Sequence, residues 1–351
     1  MERLGFPGSQ RLRRILEYLM TPEVARIAEA LPGTAAEVAE KTGLKVQQVT
    51  EALDDLFYKG VAFPRGDYGH REYYRFARSI TQLHDASQAS KGLDYVKDRP
   101  YYEAWQDFVM NEMYPRTAKA VQARGVPGIR VVPAYKAIKD LPGVLPHEDY
   151  RELVKAQNRY SVVKCSCRYR TTAVGEHCQH TSEEEVWHCL QFNRSADYSL
   201  AREAGRELTL DQLLELVDVI EDDGLVHIWP NTVQMAGVNV ACNCCRDCCM
   251  TYVPMDQAGL PIGLAWQKSR YAAYVSSTEE CTGCQDCIDR CQFDAIEMKK
   301  VPGSKKMKAF VDEEKCFGCG ACVVKCEAQT LKMKVVRPPE FIPEMGGAAA
   351  H

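Results

Sequence analysis

CTGCQDCIDRC, residues 281–291, places four cysteines in eleven residues, and CFGCGACVVKC, residues 316–326, does the same. Both stretches have the spacing C-x2-C-x2-C-x3-C, and they align without a gap 35 residues apart. Thiolate sulfur is a soft ligand that favours zinc, copper(I) and iron–sulfur centres. The repeat therefore predicts two related metal centres in one small unit.

The spacing indicates which cysteines share a centre. Three cysteines of each run can ligate one [4Fe-4S] cluster, and in the bacterial two-cluster arrangement the fourth ligates the cluster of the other run. A pair of four-cysteine zinc sites is the alternative, although zinc motifs usually consist of two separated C-x2-C pairs. The crossing predicts a first tetrad of Cys281, Cys284, Cys287 and Cys326, and a second tetrad of Cys316, Cys319, Cys322 and Cys291.

This region closely resembles a bacterial-type 2[4Fe-4S] ferredoxin. Gly283 and Gly318 lie between the first two ligands of each run, where glycine lets backbone N–H groups approach cluster sulfur. Ile296 and Leu331, at equivalent places, are expected to pack over the clusters. The sequence differs from such ferredoxins after the fourth cysteine of each run, where Gln292 and Glu327 stand in place of the usual proline.

The remaining nine cysteines lie upstream, in a chain of 351 residues with seventeen cysteines in all. Cys242, Cys245 and Cys248 repeat the C-x2-C-x2-C spacing and could ligate three irons of a further cluster. We expect at least one more [4Fe-4S] cluster here; structural zinc, or an unusual cluster shared by adjacent cysteine pairs, is the alternative. The candidate ligands are Cys165, Cys167, Cys178, Cys189, Cys242, Cys244, Cys245, Cys248 and Cys249.

A wider resemblance is carried by RVVPAYKAI, KCSCR, GRELT, GLVH and CNCC-x2-CC. These motifs are similar to those of a group of ferredoxin-type iron–sulfur proteins from anaerobes. The resemblance implies a winged-helix-like start, a cysteine-rich middle and a C-terminal dicluster ferredoxin. Asp247 stands where that group has a further cysteine. Arg168, next to Cys167, either offsets thiolate charge or is solvated at the surface.

Short amphipathic helices and a two-stranded wing over roughly residues 10–78 resemble a winged helix-turn-helix domain. A capping box is predicted at Thr34 and Glu37. DNA binding needs cations to displace counterions from phosphate. The candidate recognition helix, residues 45–59, carries two lysines against Glu51, Asp54 and Asp55, so we predict a protein-docking or scaffold module instead.

Together these patterns predict an α+β protein. Its predicted parts are a winged-helix-like domain (1–80), a helical connector with a short strand (81–160), a cysteine-rich metal domain (161–255), a ferredoxin-like domain (256–336) and a flexible tail (337–351). Within the connector, a helix is expected to break at Pro115, with Trp105, Phe108 and Tyr114 in the core.

The net charge of −4 gives no general attraction to nucleic acid. Without a secretory signal or an apolar stretch of membrane-spanning length, we expect a cytoplasmic protein whose cysteines are ligands rather than disulfides. No nucleotide or flavin motif is present. The leading hypothesis is therefore an electron-transfer protein that exchanges electrons with protein partners, as a subunit or partner of an anaerobic oxidoreductase complex rather than as a stand-alone enzyme. A redox-sensing winged-helix regulator and an oxidoreductase with a substrate-accessible middle cluster are the alternatives.

Overall fold

The first 125 residues consist of helices around a small antiparallel sheet. The computed structural model describes residues 1–181 and 186–344. The predicted hairpin is present, with Ala62 opposite Phe76, and the short strand at Thr34 extends it to three strands. The elements are α1 (Gln10–Leu19), α2 (Pro22–Ala30), β1 (Gly33–Thr34), α3 (Ala35–Thr42), α4 (Val46–Tyr58), β2 (Ala62–Pro64), β3 (Tyr73–Phe76), α5 (Ile80–Gln88), α6 (Arg99–Phe108) and α7 (Tyr114–Arg124).

Local signals in the sequence fix several of these boundaries. Thr34 and Glu37 form the predicted capping box, in which each side chain accepts a hydrogen bond from the backbone N–H of the other residue. The box satisfies two N–H groups that have no partner within the helix. Trp105, Phe108 and Tyr114 are buried in the core, as predicted.

The predicted break at Pro115 is wrong. Helix α6 continues through a π-helical turn, Val109–Met113, directly into α7, which contains Pro115 in its first turn. Proline disturbs a regular helix because it lacks an N–H and its ring contacts the carbonyl four residues earlier. A wider π turn relaxes that spacing, so the chain passes the proline without ending the helix.

A seven-stranded sheet forms the middle of the molecule, with the order β10-β4-β8-β9-β6-β5-β7. Its strands come from both sides of the predicted domain boundaries at 160 and 255. The division of the chain into domains stays a prediction. The elements are β4 (Ile129–Val132), α8 (Tyr135–Ile138), α9 (Tyr150–Lys155), β5 (Tyr160–Val163), α10 (Ser166–Ala173), β6 (Cys189–Phe192), α11 (Asn193–Ala201), β7 (Gly205–Glu207), α12 (Leu210–Asp222), β8 (Val226–Pro230), β9 (Val240–Cys244), α13 (Tyr252–Gln257) and β10 (Trp266–Gln267).

The C-terminal unit repeats one pattern twice, in agreement with the sequence repeat. In each half a short helix contains the third cysteine of the run, and a strand follows the fourth. Pairing crosses the halves, because β11 pairs with β14 and β12 with β13. The elements are β11 (Tyr271–Val275), α14 (Asp286–Arg290), β12 (Ile296–Lys299), β13 (Lys308–Val311), α15 (Ala321–Lys325) and β14 (Leu331–Val335).

The segment after β14 packs back onto the middle of the molecule. Ile342 is buried, and the backbone N–H of Val233 donates to the carbonyl of Pro343 over 2.9 Å. The rest of the predicted tail, residues 345–351, lies outside the described residues. No helix in residues 1–181 and 186–344 is long and apolar enough to cross a bilayer.

Candidate metal centres

The cysteines of the first tetrad line one cavity of about 320 Å³. Cys281 and Cys287 are buried, whereas Cys284 is exposed, so this cavity opens toward solvent. Leu331 lies in the wall. The buried ammonium of Lys308 donates hydrogen bonds to the carbonyls of Cys281 and Glu279. Its positive charge therefore lies on the backbone that carries the first cysteine.

The second tetrad lines a separate and narrower cavity of about 20 Å³, which also contacts Ile296, Phe293 and Phe317. The two phenylalanine rings stack with their centroids 4.4 Å apart. Backbone N–H groups point at sulfur here: Ala295 donates to Cys291 over 3.3 Å and Ala273 to Cys316 over 3.4 Å. Each cavity thus receives three cysteines from one run and the fourth from the other.

The chemistry of these donor sets fits metal clusters. Four thiols face each cavity, and N–H···S contacts of this kind stabilise thiolates that ligate a cluster. Burial raises the pKa of Cys287 to about 11 and that of Cys319 to about 12. Both thiols therefore hold their protons at neutral pH until a metal displaces them.

Glycine conformation brings the ligand loops close to neighbouring backbone. Gly283 and Gly318 both have positive φ, near +70°. A Cβ atom on Gly318 would lie 2.2 Å from the carbonyl oxygen of Tyr271, and one on Gly283 would lie 2.5 Å from that of Met307. Only glycine fits in these two turns.

The nine middle cysteines fall into two groups. Strand β9 ends at Cys244, and the following turn carries the next three cysteines, two of which lie beside Cys178 and one beside Cys244. The compact group, defined as Cys178, Cys245 and Cys248 with Asp247, has all its donor atoms within 4.8 Å of one another. The extended group comprises Cys165, Cys167, Cys189, Cys242, Cys244 and Cys249, which are linked by pairwise contacts.

This arrangement divides the trio that the sequence pattern suggested. Cys245 and Cys248 are buried beside Cys178, whereas Cys242 is exposed and contacts Cys189 and Cys244. Asp247, which stands in place of a further cysteine, brings its carboxylate close to the three thiols. Carboxylates also ligate metals, so an aspartate between two cysteines is itself a signal of a metal site.

Arg168 lies buried between the two groups. Burial opposes its charge, but the thiols of Cys245 and Cys165 outweigh that effect and hold the pKa of Arg168 well above its usual value. One of its NH2 groups donates to the carbonyl of Asn243 over 2.5 Å, while its Nε and other NH2 group have no hydrogen-bond partner among the described residues. The guanidinium therefore offsets negative charge on sulfur and is not a solvated surface group.

An apolar cluster joins the second tetrad to the extended group. It contains Cys249, Phe293 and Phe317, and Cys244, Cys291 and Cys319 pack against it. The two tetrads in turn share another apolar cluster, which includes Cys287 and Cys322. The cysteine sets thus form a continuous series through the molecule.

Comparison with known proteins identifies the C-terminal unit. Residues 280–331 match the family model of the 4Fe-4S dicluster domain. No curated protein and no solved structure matches the chain. The match covers the two cysteine runs and indicates iron–sulfur electron transfer through [4Fe-4S] clusters.

Proposed function

We propose that this protein relays single electrons between protein partners, as a subunit or partner of an oxidoreductase complex. The observation that carries this proposal is that each tetrad lines its own cavity, with the fourth cysteine contributed by the opposite run. We assign one [4Fe-4S] cluster to each tetrad and at least one further cluster to the extended group. When bound, such clusters take up and release one electron at a time.

The exposure of the cysteines suggests a path for the relay. Cys284 makes the first tetrad one solvent-facing end, and the second tetrad is lined by Phe293 and Phe317. The apolar cluster that contains those two rings also contacts the extended group, whose Cys242 is exposed as well. We infer that electrons are exchanged with partners at the first tetrad and at the extended group, and pass between them through the second tetrad.

Lysines near the first tetrad support an acidic docking partner. Lys299, Lys300, Lys305 and Lys306 are exposed around the tip of the β12–β13 hairpin. A Cβ atom on Gly283 would lie 3.4 Å from the Cβ of Lys306, so this tip adjoins the loop between Cys281 and Cys284. Opposite charge on a partner would speed encounter and orient it toward the exposed end of the relay.

We propose that the N-terminal region is a winged-helix-like docking module. Its order of helices and strands supports the winged-helix assignment. The hairpin is engaged within the chain, because Arg194 of α11 donates to the carbonyls of Pro64 and Gly66. On α4, Asp54 pairs with Arg71, which leaves fewer cations for phosphate. These contacts favour a scaffold role over a DNA-binding regulator.

The test is chemical and spectroscopic analysis of full-length protein purified without oxygen. We expect iron and acid-labile sulfide in equal amounts, above the total of about eight irons that two cubes supply. Reduction should give paramagnetic signals from interacting clusters. Cys244→Ser should remove about four irons and leave the dicluster signals intact. Protein without iron, or with zinc in the two tetrads, would overturn the proposal.

A further inference from the structure

We propose that Cys178, Cys245, Cys248 and Asp247 bind a single zinc ion, at a site distinct from every iron–sulfur cluster. The sulfurs of Cys178 and Cys245 are 3.7 Å apart. The donor atoms of all four residues lie within 4.8 Å of one another. The three cysteines are buried, and Asp247 is exposed.

The spacing fits one ion rather than a cluster. Sulfurs bound at about 2.3 Å to a tetrahedral zinc lie about 3.8 Å from each other. In a [4Fe-4S] cluster each cysteine binds a different iron, so its sulfurs are separated by the width of the cluster in addition to the Fe–S bonds. The observed 3.7 Å therefore matches the edge of a mononuclear tetrahedron.

The same molecule provides a comparison. Within residues 1–181 and 186–344, the compact group alone has three or more His, Cys, Asp or Glu donor atoms this close together. The tetrads have the cysteine spacing along the chain that is typical of [4Fe-4S] clusters. In neither tetrad, nor in the extended group, do three donor atoms lie this close together. In the extended group the sulfurs of Cys244 and Cys249 are 3.5 Å apart, but no third donor atom of the described residues lies within 4.8 Å of both. The compact group therefore differs from the extended group in having enough close donors to surround one ion.

The fourth donor and its surroundings select the metal. The backbone N–H of Gln179 donates to Oδ2 of Asp247 over 2.9 Å and so fixes the carboxylate. Zinc accepts thiolate and carboxylate ligands together, whereas copper(I) prefers sulfur alone. Three thiolates and one carboxylate carry four negative charges against two on the ion. Arg168, buried beside Cys245 and Cys178, supplies a compensating charge, and the hydroxyl of Thr171 donates to the sulfur of Cys248 over 3.4 Å.

Such an ion would position the neighbouring cluster ligands. Along the chain Cys245 and Cys248 lie between Cys244 and Cys249, which belong to the extended group and contact each other. A zinc ion bound to Cys178 would tie the segment after α10 to the turn that follows β9. It would hold that turn closed and thereby fix the sulfurs of Cys244 and Cys249.

Metal analysis of full-length protein, produced with both iron and zinc in the medium and purified without oxygen, tests this site. We expect one zinc per chain, with X-ray absorption at the zinc edge showing three sulfurs at about 2.3 Å and one oxygen at about 2.0 Å. Cys178→Ser and Cys245→Ser should lose zinc and retain the dicluster iron. Cys189→Ser, in the extended group, is the matched control and should retain zinc.

Exposed Asp247 provides a second test if the cysteine variants do not fold. Asp247→Cys should change the zinc shell to four sulfurs, and Asp247→Asn should release zinc to a chelator faster than Asp256→Asn, a control at a nearby exposed carboxylate. Absence of stoichiometric zinc, or a zinc shell that is the same in Asp247→Cys, would overturn the proposal. Iron content and the dicluster signals, measured on the same samples, report separately on the electron-transfer function.

Discussion

The side-chain oxygen of Gln292 accepts a hydrogen bond from the backbone N–H of Arg246 over 2.7 Å. The amide nitrogen of Gln292 donates to the carbonyl of Gly224 over 2.8 Å. Gln292 directly follows Cys291, at the position where dicluster ferredoxins usually have proline. Proline has no side-chain amide, so this departure allows the ferredoxin unit to dock onto the cysteine-rich middle.

Gln292→Ala should weaken this docking. The change leaves the part-buried N–H of Arg246 and the buried carbonyl of Gly224 without these partners, at an expected cost of about 2 kcal/mol in the free energy of unfolding. Glu327→Ala is the matched control, because Glu327 occupies the equivalent place in the second repeat and is exposed. Its effect should stay within about 0.5 kcal/mol. Denaturant unfolding without oxygen would measure both, and equal effects would contradict the docking role.

Paired variants can test whether the fourth cysteine of each run binds the cluster of the other run. Cys291→Ser and Cys319→Ser should alter the same electron paramagnetic resonance signal, because both residues line the second cavity. Cys326→Ser and Cys284→Ser should alter the other signal. If Cys291→Ser instead changes the signal that Cys284→Ser changes, each run binds its own cluster and the crossing is wrong.

Gly318→Ala should destabilise the loop between Cys316 and Cys319. The new Cβ would lie 2.1 Å from the hydroxyl oxygen of Ser269, in addition to its contact with Tyr271. We expect a loss of about 3 kcal/mol from overpacking, with reduced iron content. Gly303→Ala is the control, since Gly303 has a similar positive φ and open space around it. It should cost only about 1 kcal/mol, and equal losses would show that conformation alone is responsible.

Glu221 holds the start of α8, which contacts the second cysteine run at Cys319. Its carboxylate accepts hydrogen bonds from the backbone N–H groups of Tyr135 and Lys136, over 2.6 and 3.1 Å. The N–H of Ala134 in turn donates to the carbonyl of Cys319. Glu221→Gln should cost about 2 kcal/mol, because these bonds to a charged acceptor are lost or weakened. The exposed Glu215→Gln on the same helix is the control.

The pH dependence of this effect has a definite sign. Burial acts to raise the pKa of Glu221, but its hydrogen bond with His227 and the two backbone bonds outweigh burial and lower it from 4.5. The stabilisation is therefore complete above pH 4.5 and is lost as the pH falls through the lowered value. The difference in unfolding midpoint between wild type and Glu221→Gln should not narrow between pH 7 and pH 5, and it should narrow below 4.5. Narrowing between pH 7 and pH 5 would contradict this assignment.

Much of the local structure was predictable because its causes lie within a few residues. The capping box of Thr34 and Glu37 and that of Thr209 and Gln212 both form, since each depends only on a four-residue stretch. The helix through Pro115 was not predictable in this way. Its continuation depends on a π turn supported by the buried packing of Val109 and Met113, which involves distant parts of the chain.

The C-terminal tetrads could be proposed from the sequence, because three of the four cysteines in each lie within seven residues and the repeat supplies the partner run. The grouping of the nine middle cysteines depends on how distant segments pack against each other. Cys178 and Cys245 are 67 positions apart, and the segment of Cys178 is held against the turn after β9 by the hydrogen bond from the N–H of Gln179 to Asp247. Spacing along a chain constrains ligands within one turn, whereas contacts between distant segments depend on strand register and on the packing around Arg168.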